Sequence, residues 1–186
     1  MKTPYENELS FLVREHHAST KHFDFRLECR GVYISFAIPK GPSMNPDEKR
    51  LAIEVKPHNV GSFYFEGRIP KGKEGAGPVM IWDRGIYYPV GLRDVKKEVQ
   101  DYIIRDAYLE GRIRFVLNGS KLKGGFQLTK WDKDKWILQK VKDDFASKED
   151  IKRFNRSVFS RLTIQEIKEG KGIKDYRRDM EQMGLF

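Results

Sequence analysis

The stretch His22-Phe23-Asp24-Phe25-Arg26-Leu27-Glu28 alternates strictly between polar and apolar residues. In an extended chain successive side chains point to opposite faces, so His22, Asp24, Arg26 and Glu28 share one face and Phe23, Phe25 and Leu27 the other. The apolar face needs a core to be buried in. The polar face lines up an imidazole, a carboxylate, a guanidinium and a second carboxylate at steps of roughly 7 Å. Working outward, short strand-like runs recur at residues 9–14, 32–38, 50–55, 62–66 and 79–84, and again at 111–117, 125–129 and 136–141. Gly- and Pro-rich turns separate most of them, among them Pro39-Lys40-Gly41-Pro42 and Pro57-His58-Asn59, and residues 130–135 read as an exposed hairpin loop. Many short strands at regular spacing predict a mainly β protein, an antiparallel sandwich or barrel rather than βαβ units.

Residues 95–107 suit either a short helix or a polar connection. After Phe145 the character changes. Ser147-Lys148-Glu149-Asp150 has the N-cap and first-turn acids of a helix start, Thr163-Ile164-Gln165-Glu166 is a capping-box pattern, and residues 174–183 suit a last helix. The expected organisation is a β domain over residues 1–146 and a small helical tail over 147–186.

Composition narrows the function classes. Lysine and arginine number 36 against 27 acidic residues, a formal charge of +9, which favours polyanionic partners, chiefly nucleic acid. A single cysteine, Cys29, rules out an intrachain disulfide framework and a cysteine-rich zinc site, and suits a reducing compartment. Cys29 itself reads as a packed strand residue. The first residues lack the apolar segment of a signal peptide, and no apolar run approaches the ~20 residues of a membrane span. A soluble, cytoplasmic protein is expected.

The four histidines lie in two places, three in His16-His17-Ala18-Ser19-Thr20-Lys21-His22 and one at His58. An imidazole and a carboxylate at i and i+2, His22 and Asp24, can converge on one ion, and His16 offers a third ligand. Two imidazoles and a carboxylate on one side of a divalent ion leave other positions open for substrate, and mixed N and O ligands suit Mn2+, Fe2+ or Zn2+. Arg26 cannot ligate, but its paired N–H donors suit a phosphate oxygen. Lys40 and Arg50 add cations in neighbouring loops. Phosphoryl transfer needs charge on the non-bridging oxygens and positioning, and these groups can supply both.

The segment from Phe11 to Glu28 closely resembles the signature of the 3′-phosphoesterase domain of bacterial ligase D. The resemblance continues through Ala37-Ile38-Pro39-Lys40-Gly41-Pro42-Ser43, Phe65-Glu66-Gly67-Arg68-Ile69-Pro70, Ile81-Trp82-Asp83-Arg84-Gly85 and Trp136-Ile137-Leu138-Gln139-Lys140, across most of residues 11 to 145. It implies a compact antiparallel β-barrel with polar active-site residues on one side. It implies an enzyme that removes a 3′-terminal ribonucleoside in a phosphodiesterase step and then the 3′-phosphate in a phosphomonoesterase step, with a preference for manganese. By the matching motifs His16, His22 and Asp24 take the metal-ligand positions, Arg26 and His58 essential phosphate-contacting or catalytic positions, and Lys40 and Arg50 further phosphate-side positions. The chain departs from the pattern at Ser62, where a tyrosine is common, and at Lys56, where an acid is common. The family's longer N-terminal arm, polymerase and ligase modules are absent from the sequence, so it reads as a stand-alone monomeric version acting on 3′ ends of primer-template or duplex DNA. Its tail is a candidate docking element for a separate ligase or polymerase.

Other residues have plainer readings. His17 points away from His16 in an extended segment and takes a structural or exposed role. Glu28 suits either an orienting contact to Arg26 or a ligand histidine, or a surface ion pair; Arg50 is close enough in sequence to pair with Asp47 or Glu48. Asp83 and Arg84 suit an ion pair or a turn contact, and Trp82 and Trp136 suit packing. Trp131, in the charged hairpin loop, is the candidate base-stacking residue. Two other classes compete: a non-catalytic nucleic-acid-binding barrel, which leaves the gathering of histidines unexplained, and a non-haem iron oxygenase, which leaves the surrounding cations unexplained.

Overall fold

A computed structural model describes residues 5–171. Nine strands follow in order: β1 (Leu9–His17), β2 (Lys21–Cys29), β3 (Val32–Ile38), β4 (Lys49–Asn59), β5 (Gly67–Ile69), β6 (Gly77–Pro89), β7 (Arg112–Gly119), β8 (Lys123–Lys130) and β9 (Lys135–Lys140). They pair antiparallel in the order β1-β2-β3-β4-β9-β8-β7-β6, and β1 returns to pair with β6. The result is a closed eight-strand barrel, with β5 as a short extra strand on β6. Closure leaves few free strand edges, and a barrel of this size is filled by its own side chains.

The inward positions do that. Phe11, Phe23, Phe25, Phe36, Trp82, Phe115, Phe126 and Trp136 are all at most 1% exposed and belong to one apolar cluster. The alternation in residues 22–28 therefore has the expected consequence for Phe23, Phe25 and Leu27. Truncating one such aromatic to alanine costs about 3–5 kcal/mol. Helix α1 (Lys97–Leu109) settles the ambiguous residues 95–107 and adds Ile104 to the cluster.

Antiparallel alternation puts the turns after β1, β3 and β7 and the chain leaving β9 at one end of the barrel; we call it the upper end. The 131–134 turn and α1 lie at the lower end. Outside the barrel wall, a second cluster of Leu12, Tyr33, Val60, Phe63 and Ile81 is covered by Tyr5, Tyr64 and Val158. This cover explains why β1 is buried on both faces.

Two expectations fail locally. Residues 62–66 are not a strand: Val60–Tyr64 form a 3-10 turn, in which Asn59 accepts from the Gly61 amide and Ser62 donates to the Asn59 carbonyl. Short-range side-chain hydrogen bonds outcompete extended pairing there. Pro57-His58-Asn59 is not a turn but the bulged end of β4, where pairing jumps from Ser35–Val55 to Tyr33–His58. By then β4 has left β9, whose pairing ends at Ile53, so the missing Pro57 N–H disturbs no ladder on that side.

Beyond Phe145 the described chain holds a 3-10 turn, Ile151–Arg153, capped by Asp150 rather than Ser147, and the helix α2 (Ile164–Lys168). Thr163 and Glu166 form the expected reciprocal capping box. Ile167 joins the main apolar cluster, with Ile151, Leu162 and Ile164 packed against it. The expected helix at 174–183 lies outside the described residues. No helix among the described residues is long and apolar enough to cross a membrane.

Candidate active site

The site is a polar stripe on the outer face of β1 to β4, towards the upper end. Register builds it. His16 lies opposite His22, Arg14 opposite Asp24, and Leu12 opposite Arg26 across β1 and β2. Arg26 in turn lies opposite Ser35 on β3, and Tyr33 lies opposite His58 on β4. One face thus gathers His16, His22, Asp24, Arg14 and Arg26, with His58 at its lower edge.

His16, His22 and Asp24 each offer one ligand atom, all within 4.8 Å of one another. The outer hydrogen bonds define which atoms. His16 Nε2 stands 2.7 Å from the Gly75 carbonyl, which can only accept, so Nε2 carries the proton and Nδ1 faces Asp24 Oδ2 at 3.7 Å. His22 Nδ1 donates to the Thr20 carbonyl at 2.9 Å, which turns Nε2 towards Asp24 Oδ1 at 3.2 Å. A ring nitrogen tied to a carbonyl, with the other aimed inward, is the usual way a metal-binding histidine is oriented. Gly75 allows the approach: it has φ +72°, and a Cβ there would lie 3.1 Å from His16 Cε1. The donor set fits a divalent ion of the manganese or zinc type.

The charges agree with this. Burial opposes ionisation of Asp24, yet contacts from His16, His22, Arg14 and Arg26 hold its carboxyl far below the usual range. His22 gains proton affinity from its contact with the Asp24 carboxylate, against the opposing effect of burial.

Arg14 is not legible as a site residue from the sequence, because its apolar neighbours Leu12 and Val13 give no alternation to place it on the polar face. In the structure β1 runs on to His17, and Arg14 shares a face with His16. Its Nη2 donates to Asp24 Oδ2 at 2.9 Å. Arg26, 2% exposed, sits on the other flank, with Nη2 3.5 Å from the same oxygen and Nη1 donating to Ser62 Oγ at 2.8 Å. Burial and the neighbouring Arg14 lower its pKa to about 9, so it stays charged at neutral pH. The Nε–H groups of Arg14 and Arg26 are both buried and meet no acceptor among the described residues. Buried donors of this kind nearly always have a partner.

His58 is half-buried, with Nδ1 3.0 Å from Ser35 Oγ. Ser35 spends its proton on the Tyr33 carbonyl, so His58 Nδ1 is the donor and Nε2 keeps its lone pair. Burial, then the positive charges of Arg26 and Arg14, lower its pKa to about 4, so the ring is neutral at pH 7.

Not every expected residue joins the cluster. Lys40 stays in the exposed β3–β4 loop, and its carbonyl accepts from Lys152. Arg50 pairs with Glu48 at 2.5 Å, as its sequence neighbourhood suggested. Ser62 reaches the cluster only through Arg26. Glu28 does not orient Arg26 or a histidine: it accepts from the Ser10 amide and hydroxyl and pairs with Lys97. His17 pairs with Glu15. Asp83 is a turn contact, accepting from the amides of Ser120, Lys121 and Leu122. Trp131 is 70% exposed, but it lies at the lower end, away from the cluster.

Comparison with known proteins places the chain in a family. The profile of the DNA ligase D 3′-phosphoesterase domain matches residues 14–130. The multifunctional non-homologous end joining protein LigD of Pseudomonas aeruginosa is 38% identical over 164 residues, 84% of this chain and 18% of that protein. The LigD proteins of Mycobacterium tuberculosis and Mycolicibacterium smegmatis are 37% and 36% identical over 72% and 74% of the chain. The chain spans less than a fifth of the length of these relatives: 18%, 16% and 17%. The chain belongs to the DNA ligase D 3′-phosphoesterase domain family.

Proposed function

We propose that this protein is a metal-dependent phosphoesterase that heals the 3′ ends of DNA strands in end-joining repair. It removes a 3′-terminal ribonucleoside by phosphodiester hydrolysis and then the remaining 3′-phosphate, leaving a 3′-OH. Family membership supports the phosphoester chemistry. The observation that carries the reading is the pair of buried, unpartnered Arg14 and Arg26 Nε–H donors beside a three-ligand cluster, since a phosphate supplies only acceptors. Two guanidinium charges against one Asp24 carboxylate leave the site in need of an anion even before a cation binds.

His16, His22 and Asp24 would hold Mn2+. When bound, it supplies a Lewis-acid charge that offsets the build-up on a non-bridging phosphate oxygen. Arg26 clamps the same phosphate, and Ser62 and Asp24 fix the plane of its guanidinium. His58 enters neutral. The arriving phosphate charge raises its proton affinity, so it can take the proton that water releases as the new P–O bond forms. It can then pass that proton to the oxygen that leaves as the old P–O bond breaks.

The test is a labelled primer–template ending in one ribonucleotide or in a 3′-phosphate, incubated with Mn2+ or with chelator. The expected outcome is conversion of both ends to 3′-OH with Mn2+ and of neither with chelator. Loss of the 3′-phosphate alone would remove the diesterase step. No conversion under any metal, together with tight duplex binding, would favour a non-catalytic nucleic-acid-binding barrel.

A further inference from the structure

A second basic site lies at the upper end of the barrel, apart from the cluster just described. A cavity of about 460 Å³ opens between the β7–β8 turn and residues 151–161, and Lys121, Arg153, Phe154, Arg156 and Arg161 line it. Both walls are held firmly. Asp83, fully buried, fixes the turn through three amide donors. Opposite, Ser157 is 1% exposed and donates to Glu66 at 2.6 Å, while the Val158 amide bonds to the Ile81 carbonyl. The side chains that face the cavity therefore stand on a fixed frame.

Their charges are not balanced within it. Arg153 pairs with Glu149 at 2.7 Å, and Arg156 with Glu166 at a looser 3.4 Å. Lys121 and Arg161 meet no carboxylate in an ion pair among the described residues. Lys121 instead donates to the Arg156 carbonyl at 2.6 Å and sits 4.5 Å over the Trp82 ring. Burial lowers its pKa to about 8, a deficit that a bound anion would offset. Arg161 has φ +68°, a left-handed conformation that a non-glycine residue rarely adopts. Phe154 is 48% exposed beside the Arg153 guanidinium, the surface on which a base can stack. Lys152, next in the same wall, donates to the Lys40 carbonyl, so this wall adjoins the β3–β4 loop.

We propose that this cavity is a nucleic-acid subsite, in which Arg161, Arg153 and Lys121 hold a backbone phosphate of a bound duplex and Phe154 stacks on an adjoining base. It rests on the 3′-end reading of the site, because it supplies the grip that holds the duplex while an end is processed. Arginine's forked donors suit a phosphate diester, and the basic surplus of the chain gives the same sign.

The test uses the full chain, with chelator present so that nothing turns over. Binding of a fluorescent duplex ending in 3′-OH is followed by anisotropy across a salt series for wild type and Arg153→Gln/Arg161→Asn. Asparagine tolerates the left-handed backbone, so the loop keeps its shape, and unchanged thermal melting verifies this. The double variant should bind roughly fivefold or more weakly, and its slope of log affinity against log salt should fall by about one to two. With Mn2+, hydrolysis of a nucleoside 3′-phosphate, too short to span both sites, should be unchanged. Wild-type affinity and slope in the variant would overturn the proposal. So would inorganic phosphate that stabilises wild type but not the variant while duplex binding is equal, since that marks a free-anion site. A wild-type chain that binds duplex in the predicted way but heals no 3′ end would refute the function reading and leave this subsite standing.

Discussion

Asp24 is the residue on which the site's charges converge, and Arg14 is what makes its setting unusual. Arg14 donates to Asp24 Oδ2 at 2.9 Å, so a cation shares the oxygen pair that a metal would use. Two unit charges ~5 Å apart in a partly buried site repel by about 3 kcal/mol. Arg14→Gln should therefore tighten Mn2+ binding, on the order of a hundredfold, while raising KM, because one phosphate donor is lost. Calorimetric titration and steady-state kinetics separate these effects. Weaker metal binding together with unchanged KM would show that Arg14 only braces the carboxylate.

His58 gives a second prediction at this scale. Its pKa falls from an unfolded value of 6.5 to about 4 in the folded chain. Between those values the unfolded chain binds the proton and the folded chain does not, so stability is lost as pH falls from 6.5 towards 4. His58→Asn should remove that loss, worth roughly 1–3 kcal/mol by pH 4. Urea unfolding of the metal-free protein at both ends of the window measures it. A wild type and variant that lose stability in parallel would contradict the neutral His58 that the mechanism starts from.

At the scale of elements, the site depends on the pairing of β1 with β2 and β6. Gly77 starts β6 with φ +140°, and a Cβ there would come within 2.1 Å of the His17 carbonyl oxygen. That obstacle is backbone and cannot swing aside. Gly77→Ala should cost about 3 kcal/mol in denaturant unfolding and loosen metal binding, by pushing β1 away at the His16 end. Full stability would mean that β1 and β6 are less closely held than the register requires.

The same elements indicate what could be read from residues alone. Strict alternation made β2 and its two faces plain, and the apolar repeats of β3, β7, β8 and β9 were equally readable. A strand's outer reach was harder. β1 extends past Arg14 to His17, and the register that sets Arg14 against Asp24 leaves no trace in its own sequence. Pro57 looked like a turn because a strand proline is tolerated only where the ladder has already parted. Ser62 looked like part of a strand because its local bonds to Asn59 leave no periodic trace. Lys40 is placed by a loop, whose path no period encodes, and Arg50, read as a loop cation, stands instead near the start of β4, opposite Leu138.

For the whole molecule, closure of the barrel divides the labour. Aromatic side chains fill the interior, and the candidate site stands on the outer face of the wall. The polar stripe runs toward the upper end, where the wall with Lys152 to Arg161 adds further cations. The formal charge of +9 has the sign that favours a polyanion and carries no sequence preference.

The proposed function stands on His16, His22 and Asp24 forming one metal centre. Its most direct test is a titration of the metal-free protein with Mn2+, in which the free ion is followed by electron paramagnetic resonance for wild type and Asp24→Asn. One tightly held ion per chain is expected in wild type, and an affinity at least about a hundredfold lower in the variant, which keeps the shape but loses the charge. Equal Mn2+ uptake by the two proteins, or none by wild type, would contradict it.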